Sequence, residues 1–174
     1  MSITLYDATV ASYLRTLGAV KGFLGRGLDH CKEAGVDPQT LVDASLCSDM
    51  LPLRFQIKSV SHHSVGAIDG GKTGSFGPPS GPDLEDYSAL QGAVDSAIAA
   101  LEAVTPDEVN ALAGGEVVFA VGDMKLPFTT EDFLLSFSMP NFFFHATTAY
   151  DILRQNGVPI GKLDFMGRMP IKNQ

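Results

Sequence analysis

Asn141 and His145 stand four residues apart in NFFFHATTAYDILRQNGV, residues 141–158. Side chains at i and i+4 lie one above the other on a helix, so both point wherever that face points. Leu134, Phe137, Thr148 and Ile152 share the face at intervals of three and four, and its apolar members turn it inward. A buried imidazole and a buried carboxamide are therefore predicted, and each needs a partner. A second pair, His62 and His63, sits in SVSHHSVGAI. Adjacent residues diverge by about 100° on a helix, so at most one of them faces a common site. His63, near the line of Phe55, Gln56 and Ser59, is the one expected to approach His145 if their helices are neighbours.

Two converging imidazoles could hold a divalent metal, although NxxxH lacks the two-histidine geometry that makes HExxH specific. In a purely structural reading, Thr147, Thr148, Tyr150 and Ser59 would satisfy the same polar groups. Other chemistry has less support. Cys31 follows His30, but neighbours in sequence diverge on a helix and do not make a catalytic pair. No GxSxG, GxGxxG or Walker sequence occurs, and GGKTG lacks the preceding strand and following helix of a phosphate loop, which makes Lys72 a solvated loop residue.

The elements that must position these residues follow from periodicity. Val10, Tyr13, Leu14, Leu17, Val20, Leu24 and Leu28 form the stripe of a first long helix over about 3–33, in which four glycines suggest close helix approach. It ends at Gly35, and a short helix follows with Asp37 as cap and Pro38 at its first position. A second long helix is predicted from about Pro52 to Asp69. Residues 70–83, GGKTGSFGPPSGPD, read as a long mobile loop bordering the site entrance. Leu84 to Leu101 give a third long helix capped by Asp83, and TPDEVNALAGG a short capped turn. EVVFAVGDMKLPF reads as a small β-hairpin about Gly122 and Asp123. The last helix starts at 129–132 and stops at Gly157, with Pro140 forcing either a kink or the start of its main segment. This amounts to one all-α domain, a four-helix bundle with a long crossover, short extra helices and a hairpin before the last helix.

The chain has 174 residues, 45% of them hydrophobic, and a net charge of −8 with scattered basic residues. One compact core fits that length, and nucleic acid is a poor partner for that charge. No stretch approaches the roughly 20 apolar residues of a membrane span. Two separated cysteines and an N-terminus without a leader-like pattern lead us to expect a cytoplasmic protein with reduced thiols.

PNFFFHATTAYDILRQNGVPIGKLDFMG (140–167), MLPLRFQIKSVSHHSVGAI (50–68) and EDFLLSFSMPN (131–141) closely resemble the domain of unknown function 1993 family of the DinB/YfiT-like superfamily. The resemblance covers most of the chain in consistent order. It implies the same four-helix bundle, in a superfamily of metalloenzymes that includes thiol-dependent transferases and isomerases. Its metal-binding members take one histidine from the second helix and two from an HxxxH on the fourth, leaving positions open to water and substrate. Carried over, His63 corresponds to the helix-two ligand, His145 to the second histidine of HxxxH, and Asn141 stands where the first would be. A carboxamide oxygen is a weaker ligand than imidazole for zinc or nickel. The expectations are a small-molecule transferase or hydrolase using zinc, nickel, iron or manganese, with a small molecule or low-molecular-weight thiol as partner and a homodimer as assembly. The alternative is a non-catalytic ligand-binding bundle with a degenerate metal site and no metal, whose aromatic pocket would use Phe142, Phe144 or Tyr150.

Overall fold

Thr4 opens the chain's first helical turn, α1 (Leu5–Ala8), by a capping box with Asp7. The computed structural model describes residues 3–172. The expected first helix is broken at Thr9, whose hydroxyl donates to the Leu5 carbonyl at 2.7 Å, and the long helix α2 runs from Val10 to Ala34. Gly35, at φ 64° in the left-handed region, ends it. The Asp37 carboxylate then accepts from the Gln39 N–H at 2.9 Å and starts α3 (Gln39–Val42).

The next helical run has three parts: α4 (Leu53–Ser61), a π segment (His62–Gly66) and α5 (Ala67–Thr73). It reaches past Asp69, so residues 70–73 are helix and not loop. Gly74, at φ 73°, turns the chain into β1 (Ser75–Phe76). α6 spans Tyr87–Glu102 and is capped by Asp86, whose carboxylate accepts from the Ala89 N–H. Asp83, expected as that cap, instead pairs with Lys58 at 3.2 Å. The capping box of Thr105 and Glu108 forms α7 (Pro106–Asn110) as expected.

β2 (Glu116–Val121) and β3 (Met124–Thr129) make the expected antiparallel pair about Gly122 and Asp123. The hairpin is not isolated, however. β1 lies parallel to β2, with Ser75 opposite Val118 and Phe76 opposite Phe119, giving a mixed three-stranded sheet in the order β1-β2-β3. Residues 70–83 were expected to lack structure because of their glycines and prolines, yet Phe76 is buried and supplies the apolar anchor that holds this strand.

The last run joins α8 (Thr130–Asp132), a second π segment (Phe133–Ser138) and α9 (Met139–Gln155), and α10 (Lys162–Met166) follows. Pro140 sits where the π segment passes into α9, inside one continuous helical run, so its missing N–H removes one backbone bond at that junction. The molecule is thus mostly helical with one small mixed sheet. α4 packs on α9 and α2 on α6, around a core that includes Tyr13, Leu17, Phe23, Leu53, Ile57, Leu90, Phe133 and Phe142.

Candidate functional site

His63 and His145 meet in the seam between the two π-interrupted runs. Their rings are 5.8 Å apart between centres and nearly parallel, at 15°. His63 is 6% exposed, and His145 is half-buried at the rim. Each π segment inserts an extra residue per turn, and both fall at this seam: one carries His62 and His63, the other ends at Ser138, the neighbour of His63. Such segments are rare in helices and concentrate at functional sites.

The hydrogen-bond partners favour Nδ1 as the protonated nitrogen of each ring. Ser138 Oγ donates to the His63 carbonyl at 2.9 Å, so its own proton is spent. Toward His63 Nδ1, 3.3 Å away, the hydroxyl can only accept, and Nδ1 is the N–H. Gln56 is 2% exposed, and its amide nitrogen donates to the Leu51 carbonyl at 2.7 Å, which orients the amide. Its oxygen faces His145 Nδ1 at 2.7 Å, so that Nδ1 is again the donor. Both imidazoles are left with a bare lone pair on Nε2, the state in which a histidine binds a metal or takes a proton.

Electrostatics keep both rings neutral. Burial first, then the charges that His62 and His145 would carry, hold the His63 pKa down to about 3. Burial and His62 hold that of His145 down to about 4.

His62 has a different task. Its Nε2–H donates to the Gly77 carbonyl at 2.7 Å, and its ring stacks on Phe76 with centres 4.3 Å apart. A Cβ on Gly66 would come within 3.3 Å of His62 Nδ1, so glycine lets that ring lie back along its own helix. His62 thereby ties the segment after β1 beside the site, where Phe76 also reaches within 5.5 Å of the His63 ring. Lys58 adds a second tie, donating to the Gly81 carbonyl at 2.8 Å.

Asn141 is half-buried, and its amide nitrogen donates to the Phe137 carbonyl at 2.7 Å, back along its own helix. Its oxygen makes no hydrogen bond among the described residues. Thr148 likewise turns to its own helix, donating to the Phe144 carbonyl at 2.8 Å. Thr147 is exposed, Ser59 is buried without a partner, and Tyr150 packs edge-on against Phe23 and Phe165, so none of these four satisfies His145. Gln56 does. Nor do the expected pocket aromatics line one cavity: Phe142 is wholly buried in the core, while Phe144 is 56% exposed on the outside of α9.

The donor set can be set against the metal that the superfamily implies. A shared ion would need both Nε2 atoms at about 2.0–2.1 Å from one point in the plane of each ring, which two stacked, nearly parallel rings reach only by turning. Among the described residues, no group of three or more histidine, cysteine, aspartate or glutamate side chains forms a metal-holding cluster. The side chains that could be offered to an ion here are the two imidazoles and the Asn141 oxygen, one imidazole short of the three-histidine set that the superfamily implies.

A family model described as a domain of unknown function, DUF1993, matches residues 5–166. The chain belongs to this family. A crystal structure of a DinB family member protein from Shewanella denitrificans is similar across 98% of this chain and 96% of its own, at 25% identity and a TM-score of 0.82. The DUF1993 chain is therefore DinB-like. No protein with a curated description matches it.

Proposed function

We propose that this DUF1993 protein is a DinB-like four-helix bundle acting on a small molecule as a metal-dependent transferase or hydrolase. Four helical runs, 10–34, 53–73, 87–102 and 130–155, support the bundle. His63 and His145 would hold zinc, nickel, iron or manganese through Nε2, with Asn141 as third ligand or substrate-orienting group. The observation that carries this is the pair of neutral imidazoles, each with Nδ1–H committed and Nε2 bare. A bound divalent ion would supply Lewis acidity or an activated oxygen or sulfur nucleophile. Ser138 and Gln56 orient the rings, and Phe76 and Phe137 shield His63 from water.

The proposed partner is a small molecule or low-molecular-weight thiol, since a net charge of −8 disfavours nucleic acid. Two free cysteines, Cys31 and Cys47, support a reducing, cytoplasmic setting, and no described helix is long and apolar enough to cross a membrane. The amide of Asn141, turned to its own helix, favours a second reading: a ligand-binding bundle whose metal site is degenerate. Metal analysis of protein purified without a histidine tag separates the two. Near-stoichiometric metal, lost in both His63→Ala and His145→Ala, is the expected result. Metal-free protein that also fails to take up added zinc would leave the ligand-binding reading.

A further inference from the structure

One face of the β2–β3 hairpin is made only of apolar side chains, and that face outruns the core. Residues directly opposite in an antiparallel pair point the same way, so the register places Val117, Phe119 and Val121 of β2 beside Phe128, Leu126 and Met124 of β3 on one side. Val117 is wholly buried and Phe119 and Phe128 are half-buried, whereas Leu126, Val121 and Met124, toward the hairpin tip, are 38%, 39% and 48% exposed. The charged Glu116 and Lys125 lie on the other side. Contiguous apolar surface kept exposed in this way is characteristic of binding sites.

The ring of Phe137 stands at the inner end of this face, 4.8 Å from that of Phe119 and 5.6 Å from that of Phe128 between centres. Asn141 follows Phe137 by one helical turn and His145 by two, and all three are half-buried. A continuous line of partly exposed side chains therefore runs from the hairpin tip over Phe137 to Asn141 and the imidazole at the rim. Its polarity is graded. No charged side chain belongs to it, and the Asn141 oxygen is an unfilled acceptor at the inner end, its amide nitrogen being spent on the Phe137 carbonyl.

We propose that this line binds a neutral amphiphile with a hydroxyl head, which donates a hydrogen bond to the Asn141 oxygen beside His145. The hydrocarbon chain lies over Phe137 and Phe119 and reaches the Val121 and Met124 pair. An ammonium head would lose its hydration there with no carboxylate to replace it, and a carboxylate head would meet an acceptor. One helical turn, one ring contact and two strand residues span at most about 17 Å, which suits a medium-length chain. The inference names a substrate class for the small-molecule site proposed above, on which it rests, and needs no metal.

The test titrates hexanol, octanol and decanol into chelator-treated full-chain protein and follows amide NMR shifts. Affinity should rise about two- to fourfold for each added CH2, the upper figure holding for full burial. Shifts should appear at Phe137, Asn141 and the hairpin tip, and decanoate should bind at least about tenfold more weakly than decanol. Val121→Ser and Met124→Ser, at exposed positions that leave the core intact, should each weaken decanol binding by roughly fivefold and leave hexanol, which ends short of the tip, unchanged. Affinity independent of chain length, or shifts confined to other surfaces, overturns the proposal even if both variants fail to fold. Sedimentation of the same variants checks the competing occupant: loss of a wild-type oligomer with decanol affinity unchanged gives the face to a second copy of the chain and overturns the proposal too. Zinc uptake is measured separately. A rise with chain length in protein that never takes up zinc removes the metal reading and leaves this inference standing, whereas zinc uptake with a flat series does the reverse.

Discussion

At the scale of residues, the site is two imidazoles whose outward nitrogens are free because their inward nitrogens are not. In the proposed metal reading, Asn141 is the residue that limits it. Replacing Asn141 with histidine removes the bond to the Phe137 carbonyl and puts a third imidazole one turn from His145. A three-histidine set with an open fourth position is a recurrent zinc arrangement, so affinity for zinc should rise by one or more tenfold steps, each about 1.4 kcal/mol. Titration of Asn141→His beside wild type measures this; equal, weak binding by both would remove Asn141 from any metal role. The inward placement of His63 and His145 was legible from the apolar residues that share their faces. Gln56 and Ser138 were not assigned as their partners, because a hydrogen bond between two helices depends on their register, which no local pattern encodes. Threonine and tyrosine near His145 looked the better partners by sequence distance, and the structure turns them elsewhere.

At the scale of elements, the long helices could be read from their stripes, but the two π segments could not. An i→i+5 turn has no residue signature, and Pro140 signalled only that the last helix was irregular there. Caps misled by a few residues for a related reason: Asp83 and Asp86 are chemically equal, and Lys58 takes the first. The glycines of α2 show the same limit, because close approach is true of one of them. A Cβ on Gly27 would collide with the Tyr87 hydroxyl, which donates to the Leu24 carbonyl at 2.9 Å. Gly18, Gly22 and Gly25 have open space around the same position. Gly22→Ala should therefore stabilise the protein by about 0.5–1 kcal/mol through helix propensity. Gly27→Ala should destabilise it by about 1–3 kcal/mol, as the tyrosine is displaced and its buried hydroxyl loses its acceptor. Urea unfolding of the two variants reads opposite shifts; shifts of one sign would refute the packing assigned to Gly27.

For the whole molecule, three neutral, inward histidines make stability depend on pH in a defined window. His63 is held down to about 3 and His145 to about 4, and burial lowers His62 as well, against an ordinary value of 6.5. Below about pH 6.5 the unfolded chain takes up protons that the folded chain refuses, so stability is full above that pH and is lost as pH falls toward 4. The slope is at most about 1.4 kcal/mol per pH unit for each imidazole, and less for the half-buried His62 and His145. Two other effects act on the same axis. A net charge of −8 at neutral pH shrinks on acidification toward the isoelectric point near 4.8, which relieves self-repulsion and opposes the loss. Asp7, Glu108 and Asp164, whose hydrogen bonds hold their carboxyls below the usual range, add a loss only nearer pH 4. Between pH 7 and 5 the histidines should dominate, because their protonation forces charge into the core whereas the net-charge effect is spread over a screened surface. Urea midpoints should therefore fall from pH 7 to pH 5, and His63→Gln, which cannot take up the proton, should flatten that fall relative to its own value at pH 7. A wild-type midpoint that stays level or rises over this range would mean that the seam admits water and that its imidazoles are not held neutral, which would remove the electrostatic basis for a bare Nε2 on either ring.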